Sequence, residues 1–532
     1  MNAKSGNSFV KQAAILAAAS LFVRLIGFLY RIPLTAVIGD LGNAYYVAAY
    51  SIYTAAIAIS SGALPAAVSK LTSERIALGQ YHNAHQMFKI AMVFGIVLGG
   101  VAGAIIGFGA TPLAEFIGAP EAARAVRTFA PTVIFVAMLA VYRGYFQGMK
   151  TAMPTAVSQV VEQMFKVIAT LLLAYVLMDE ANILPAVTGG TIGTGVAAVA
   201  GLTVVVIMYA SVAKTLRKRA NRDTNYKHDE RKFAQVCAIL HTALPMIISM
   251  LIYSSINIID QRMANSRMIA SGAFTHEQAQ ELFGQFALKF ILLITLPISL
   301  SVALSAAVIP EITSSNVKMD TRAVKRKTDM ALRLSMILSI PAAVGLAVLA
   351  DPILALLFPS HPEGGWLLRY GAVSIVFIAL VHVLTGTLQG LGHVKLPIVA
   401  AFFGVLIKIP VNHILIGMPS INILGAVIST IACYIIAAGI NMYFLYRHTR
   451  ILPSLSGAFI KPLIAAAGMG MVCYIGYYNL EQFMPTAFAT VLTLGIGGIS
   501  YILFMCLVKG FRKSDLQAMP LPRKIRGLLL KL

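Results

Sequence analysis

Charge is what this sequence has least of: 12% of its 532 residues are Asp, Glu, Lys or Arg, against 58% hydrophobic residues. So little polar surface cannot cover a water-soluble globule of this length, and a mean hydropathy of +0.81 says the same. Acids are scarcer still, 20 against 42 Lys and Arg. No loop gathers carboxylates or histidines for acid–base work, and no Walker sequence offers a phosphate cradle, so neither an enzyme nor a directly ATP-driven pump is expected. The four cysteines, Cys237, Cys433, Cys473 and Cys506, lack metal-ligand spacing and fall inside apolar runs, where they read as small core residues. No cofactor or metal is expected. Nor is a cleavable signal peptide, because the first apolar run reaches Arg31-Ile32-Pro33 without a small-residue cleavage pattern.

What is present is a succession of fourteen apolar runs, near 9–31, 44–69, 88–110, 128–146, 154–178, 190–213, 234–258, 284–309, 331–350, 368–389, 397–416, 421–445, 462–479 and 486–508. A helix needs roughly 20 apolar residues to cross the hydrocarbon core, and lipid offers no partner for open backbone groups. The expected fold class is therefore an all-α polytopic membrane protein.

The loops differ sharply in charge. Lys and Arg number 32 on the side of the termini and 5 on the other, which makes both termini cytoplasmic under the positive-inside rule. The basic stretch 214–232, the 322–327 loop and the tail from Lys509 all hug that same face, where anionic lipid accounts for them; no nucleic-acid partner is expected.

The chain also repeats itself. At an offset of 240 to 243, ALPAAV at 63–68 falls on ALSAAV at 303–308, Gly144 on Gly386, Gln147-Gly148 on Gln389-Gly390, and Lys166 on Lys408. Six spans separate the copies, an even number, so two six-helix lobes threading in one direction are expected. The division is an N-lobe at 1–213, a cytoplasmic connection at 214–232, a C-lobe at 233–450, and two appended spans with a basic tail at 451–532. Pro65, Pro245, Pro297, Pro341 and Pro410 fall within spans; bending and ordinary membrane-helix packing are both open readings.

Ionisable groups inside spans are costly and usually face a cavity, a partner or a substrate. Here five are basic, Arg24, Arg31, Lys166, Lys289 and Lys408, and one is clearly an internal acid, Glu162. That balance suits an anionic substrate. Arg24 and Lys289 each lie about 10 Å in from one end of their spans at 1.5 Å per residue, and an Arg fork with a Lys point charge suits a diphosphate. Snorkelling to headgroups is the other reading for Arg24, Arg31 and Lys289. Glu162 and Lys166, four apart, are expected to pair along one helix face, which leaves Lys408, with Gly404 at the equivalent position, as a cavity cation. Arg143 reads as an interfacial anchor or a gate residue, and Asp260 as an interfacial or gating acid.

The segments RGYFQGMKTAMPTAVSQVVEQ at 143–163, LPAAVSKL at 64–71 and RLIGFLYRIPL at 24–34 resemble the polysaccharide-biosynthesis branch of the MOP flippase superfamily. The resemblance covers the first twelve spans. It implies fourteen helices in two lobes about a cationic cavity, and movement of an undecaprenyl-diphosphate-linked saccharide from inner to outer leaflet of a bacterial cell membrane by alternating access. No cofactor is expected; the expected partners are membrane lipids and a possible coupling ion, and the expected working unit is a monomer. Arg24 matches the arginine of the family's RxxGF pattern, and Lys289 stands near a basic position of the eighth helix. A second first-helix arginine of the proteobacterial members falls at Tyr30 here, and the second span has no arginine. The rival expectation is a cation-coupled multidrug exporter of the same lobed form, for which Glu162 would be the exchanging carboxylate.

Overall fold

The computed structural model describes residues 19–20, 22–179, 181–221, 232–450 and 455–511. Among them every extended element is helical, and twelve helices are long and apolar enough to cross a bilayer. A thirteenth span is the pair Gly365–Gly371 and Ser374–Gly390, bent by 50°. The first expected span, at 9–31, is described only in its second half, where residues 22–29 are helical. The other thirteen expected spans fall on these helices, and residues 9–18 of the first lie outside the described residues.

The chain forms two compact units, Met1–Ser266 and Arg267–Leu532. The first contains α1 (Arg31–Ile57), α2 (Leu64–Ala77), α3 (Tyr81–Phe108), α4 (Ala123–Gly148), α5 (Met153–Val176), α6 (Leu184–Asn221) and most of α7 (Lys232–Ala270). The boundary between the units falls near the end of α7, which touches other elements of the first unit. Gln235 Nε2 donates to Gln86 Oε1 at 3.0 Å, Ala243 packs on Ala63 and Ala67, and Asn265 Nδ2 donates to the Gly118 carbonyl at 3.0 Å. The basic connection is itself helical as far as Asn221, and 222–231 lies outside the described residues.

Two interruptions shape the start of this unit. Gly39 has φ 60° and ψ −174°, a conformation that breaks α1 and that a residue without Cβ adopts at little cost. A π turn at Ala58–Gly62 then precedes Pro65 in the first turn of α2, where its missing N–H has no helical acceptor to lose.

The second unit holds α8 (His276–Gly284), α9 (Ile291–Val317), α10 (Thr321–Val348), α11 (Ser374–Gly390), α12 (Leu396–Leu415), α13 (Leu424–Thr449), α14 (Leu455–Leu480) and α15 (Thr486–Leu507). A capping box at Thr275 and Gln278 starts α8. The appended pair, α14 and α15, is anchored to α10: the Tyr501 hydroxyl donates to the Ile337 carbonyl at 2.9 Å.

The internal repeat is visible as packing. A Cβ on Gly144 would sit 2.7 Å from the Pro65 carbonyl oxygen, and one on Gly386 would sit 2.8 Å from that of Ser305. One turn on, Gly148 meets the Ser69 carbonyl and Gly390 the Ile309 carbonyl in the same way. Each pair is displaced by the offsets read from the sequence, so the crossing of α2 with α4 is rebuilt in that of α9 with α11. Elsewhere the outward faces are apolar: Val93, Val97, Val101 and Ile105 form an exposed stripe on α3 suited to lipid. Of the cysteines, Cys433 and Cys473 are buried and Cys506 half-buried as expected of core residues, but Cys237 is exposed on α7.

Candidate functional site

In the first unit the cationic side chain at the centre of the polar construction is Lys166, on α5. Its Nζ lies 3.4 Å from the Tyr50 hydroxyl, 4.7 Å from the centroid of the Tyr50 ring and 5.9 Å from that of Tyr30. Aromatic faces carry negative potential and stabilise a cation without neutralising it by a formal charge. Tyr46, Tyr50 and Tyr53 recur at helical spacing on α1, so one face of that helix presents all three. Tyr46 and Tyr50 stack at 6.1 Å, and Tyr53 stacks on Phe129 of α4 at 4.2 Å, which locks the rings in place. These tyrosines were not among the candidates read from sequence; their 46-50-53 spacing is the signal that marks them.

Glu162, one turn before Lys166, turns the other way. Its Oε2 receives the Arg143 guanidinium at 2.6 Å, and Arg143 Nε donates to Ser158 Oγ at 2.9 Å. The expected Glu162–Lys166 pair is therefore replaced by a pair linking α4 to α5. The guanidinium offers Glu162 and Ser158 separate donors of one planar fork, which a single ammonium on the same helix does not. Arg143 is no surface anchor: its side chain is 14% exposed and Glu162 is 29% exposed.

Arg31 is half-buried at the start of α1, next to the buried Tyr30, and Arg24 is exposed on the 22–29 helix. Asp260 is 2% exposed. The helix that carries it continues to Ala270.

The two candidate lysines of the second unit, Lys289 and Lys408, are both fully buried. Lys289 sits in a π turn, Gln285–Phe290, whose extra residue rotates it inward. Its Nζ donates to the Glu363 carbonyl at 2.9 Å and lies 3.9 Å from the Glu363 carboxylate. Lys408 donates to Ser429 Oγ at 3.1 Å and Thr430 Oγ1 at 2.7 Å, both on α13. Thus Lys289 is engaged by an acid-bearing loop, whereas hydroxyls hold Lys408. Among the described residues no three His, Cys, Asp or Glu side chains gather as a metal centre.

Membrane-crossing helices that carry a repeated crossing and embedded cations define a multi-pass membrane protein. The chain belongs to the family described as "Polysaccharide biosynthesis protein", whose profile matches residues 9–316. A second profile, "MatE", matches residues 283–414. The lipid II flippase MurJ of Bacillus subtilis (strain 168) is 28% identical, the alignment covering 97% of each chain. Two solved structures share the fold. One is an inward-facing multidrug resistance MATE family transporter of the MOP superfamily, with a TM-score of 0.66 and 17% identity over 82% of this chain and 98% of that one. The other is the lipid II flippase MurJ in an inward closed conformation, with a TM-score of 0.63 and 16% identity over 93% and 98%.

Proposed function

We propose that this protein moves an anionic lipid-linked saccharide, of the undecaprenyl-diphosphate class, from the inner to the outer leaflet of a bacterial cell membrane by alternating access. Both termini are cytoplasmic in this reading and the working unit is a monomer. The observation that carries it is Lys166: a cation within a span, held by a tyrosine hydroxyl and two ring faces, with Glu162 engaged elsewhere. Such a charge remains available to phosphate oxygens. Arg24 and Arg31 supply further guanidinium forks in the same unit, and Lys408 and Lys289 supply charge in the second. Arg143 with Glu162 clamps α4 to α5, so that these helices move as one piece.

The test is reconstitution into vesicles with lipid-linked oligosaccharides of defined headgroup, scoring headgroup accessibility in each leaflet. Arg24→Ala and Lys166→Met are expected to lower the flipping rate at least tenfold with normal insertion. Unchanged flipping in both would remove the site assignment.

The MatE match over 283–414 supports a second reading, cation-coupled drug export. It needs an internal carboxylate free to exchange an ion, and Arg143 occupies Glu162. If Glu162→Gln abolished drug efflux while Arg24→Ala and Lys166→Met did not, the export reading would replace the first.

A further inference from the structure

The face of α4 that buries Phe129 and Val133 packs toward α1, where Tyr53 stacks on Phe129. Roughly half a turn around the helix, at 3.6 residues per turn, the same α4 is open: Arg124, Arg127 and Pro131 are exposed there. Ile192, Val196 and Val199 of α6 are exposed as well. Between the two helices runs a trough in two joined parts. The first, about 570 Å3, is lined by Arg124, Arg127, Pro185 and Thr188, with Leu177 just past α5. The second, about 450 Å3, is lined by Phe135, Gly195, Val196 and Val199. Thr128, Pro131 and Ile192 belong to both, so one groove leads from the arginines into apolar surface.

The two helices are in contact along this trough. Thr128 Oγ1 donates to Thr191 Oγ1 at 2.9 Å, and a Cβ on Gly195 would come within 2.9 Å of Thr132 Oγ1. The ends of the groove differ in chemistry. Arg124 and Arg127 stand one turn apart at the start of α4, and among the described residues neither is in an ion pair. Lys and Arg are scarce on this side of the spans, so the positive-inside bias does not account for the two together. From Arg124 to Phe135 the helix rises about 16 Å, half of a hydrocarbon core roughly 30 Å thick. A charged head above an apolar groove one leaflet deep has the outline of a lipid. Guanidinium forks suit phosphate oxygens, and a free anion would have no use for the apolar part. Because both parts open on a lipid-facing flank, the occupant enters sideways from the bilayer, whose own anionic glycerophospholipids join a phosphodiester to acyl chains.

We propose that this groove binds an anionic glycerophospholipid of the phosphatidylglycerol type, with its phosphate on Arg124 and Arg127 and one acyl chain along Pro131, Ile192, Phe135 and Val196. In the membrane orientation of the transport reading the start of α4 lies at the outer face, so the lipid belongs to the outer leaflet. An occupied groove joins α4, α6 and the end of α5 at that face, far along α4 from the Arg143–Glu162 pair. The proposal takes only its leaflet from the transport reading and its measurement involves no flipping, so the two fail separately.

The experiment uses the full chain in detergent micelles, with Phe135→Trp as the reporter in a Trp366→Phe background, since Trp366 is the single native tryptophan. Its fluorescence is titrated with phosphatidylglycerol or phosphatidylcholine brominated on the acyl chains. Phosphatidylglycerol is expected to reach half-quenching at a mole fraction at least fivefold lower than phosphatidylcholine. Arg124→Gln combined with Arg127→Gln should abolish that difference, whereas Arg450→Gln, which removes an exposed cation of the second unit, should preserve it. Should Phe135→Trp fail to fold, Val196→Trp on the exposed side of α6 serves as the reporter. Equal quenching by the two lipids, or a preference that survives the double arginine variant, overturns the proposal. Displacement of brominated phosphatidylglycerol by an equal mole fraction of undecaprenyl phosphate would give the groove to prenyl lipids and overturn it as well.

Discussion

Gly144 and Gly386 occupy the same place in two copies of one helix crossing, each with its missing side chain aimed at a backbone carbonyl, of Pro65 and Ser305 respectively. A methyl group at either position would have to push two helices apart, since main chain of Pro65 or Ser305 stands in its way, joined at Gly386 by the Ser305 hydroxyl. Gly144→Ala and Gly386→Ala should each destabilise by about 1–3 kcal/mol, as expected of overpacked interiors. Thermal unfolding in detergent measures this, with Gly439→Ala as the control, because nothing lies within 4 Å of a Cβ there. Equal melting temperatures for all three variants would remove the crossing from the account.

Glu162→Ala strips the acid from a guanidinium that is mostly buried and should cost about 1–3 kcal/mol. Arg143→Ala should cost a similar amount, and the double variant less than the sum of the two. A double-mutant cycle on unfolding free energy checks the pair. Strict additivity would mean that the 2.6 Å contact is not energetically coupled.

At Lys166 the ring and the hydroxyl of Tyr50 act separately. Tyr50→Phe keeps the ring face and should lower flipping only modestly, whereas Tyr50→Leu removes a cation–π contact worth about 0.5–2 kcal/mol and should lower it further. The vesicle assay ranks the two variants. Equal loss in the two variants would transfer the role to the hydroxyl alone.

His393, in the turn before α12, stands 4.2 Å ring to ring from His448 at the end of α13. Partial burial, with the neighbouring His448 charge adding to it, holds the His393 pKa below its ordinary value. The folded chain therefore binds this proton less readily than the unfolded chain does. The resulting stability is fully present above the unfolded histidine value of about 6.5 and is lost as pH falls through the lower folded value. Melting temperature should drop between neutral and mildly acidic pH, and His448→Gln should flatten that drop.

Much of this molecule is legible in its sequence because hydrocarbon imposes a single rule. Every span must be long, apolar and helical, so the spans fall where the apolar runs do, and the repeat appears in residues such as Gly144 and Gly386 that allow close crossings. The site was less legible. Glu162 and Lys166 are neighbours on one helix, and local spacing makes them partners. The acid instead goes to Arg143, because the turn at 149–152 returns the chain and lays α4 beside α5. Tyr50 lies 116 residues from Lys166, so no local pattern joins them.

The amino-acid sequence by itself determined that this chain lives in a bilayer, that it crosses many times, and that its buried charge is mainly positive, since each follows from composition along a single helix. Only the tertiary structure decided which cations are quenched by acids and which are cradled by hydroxyls and rings. It also decided that most of α7 packs with the first unit. Those outcomes depend on which helix faces are pressed together, and a one-dimensional pattern specifies a face but not its neighbour.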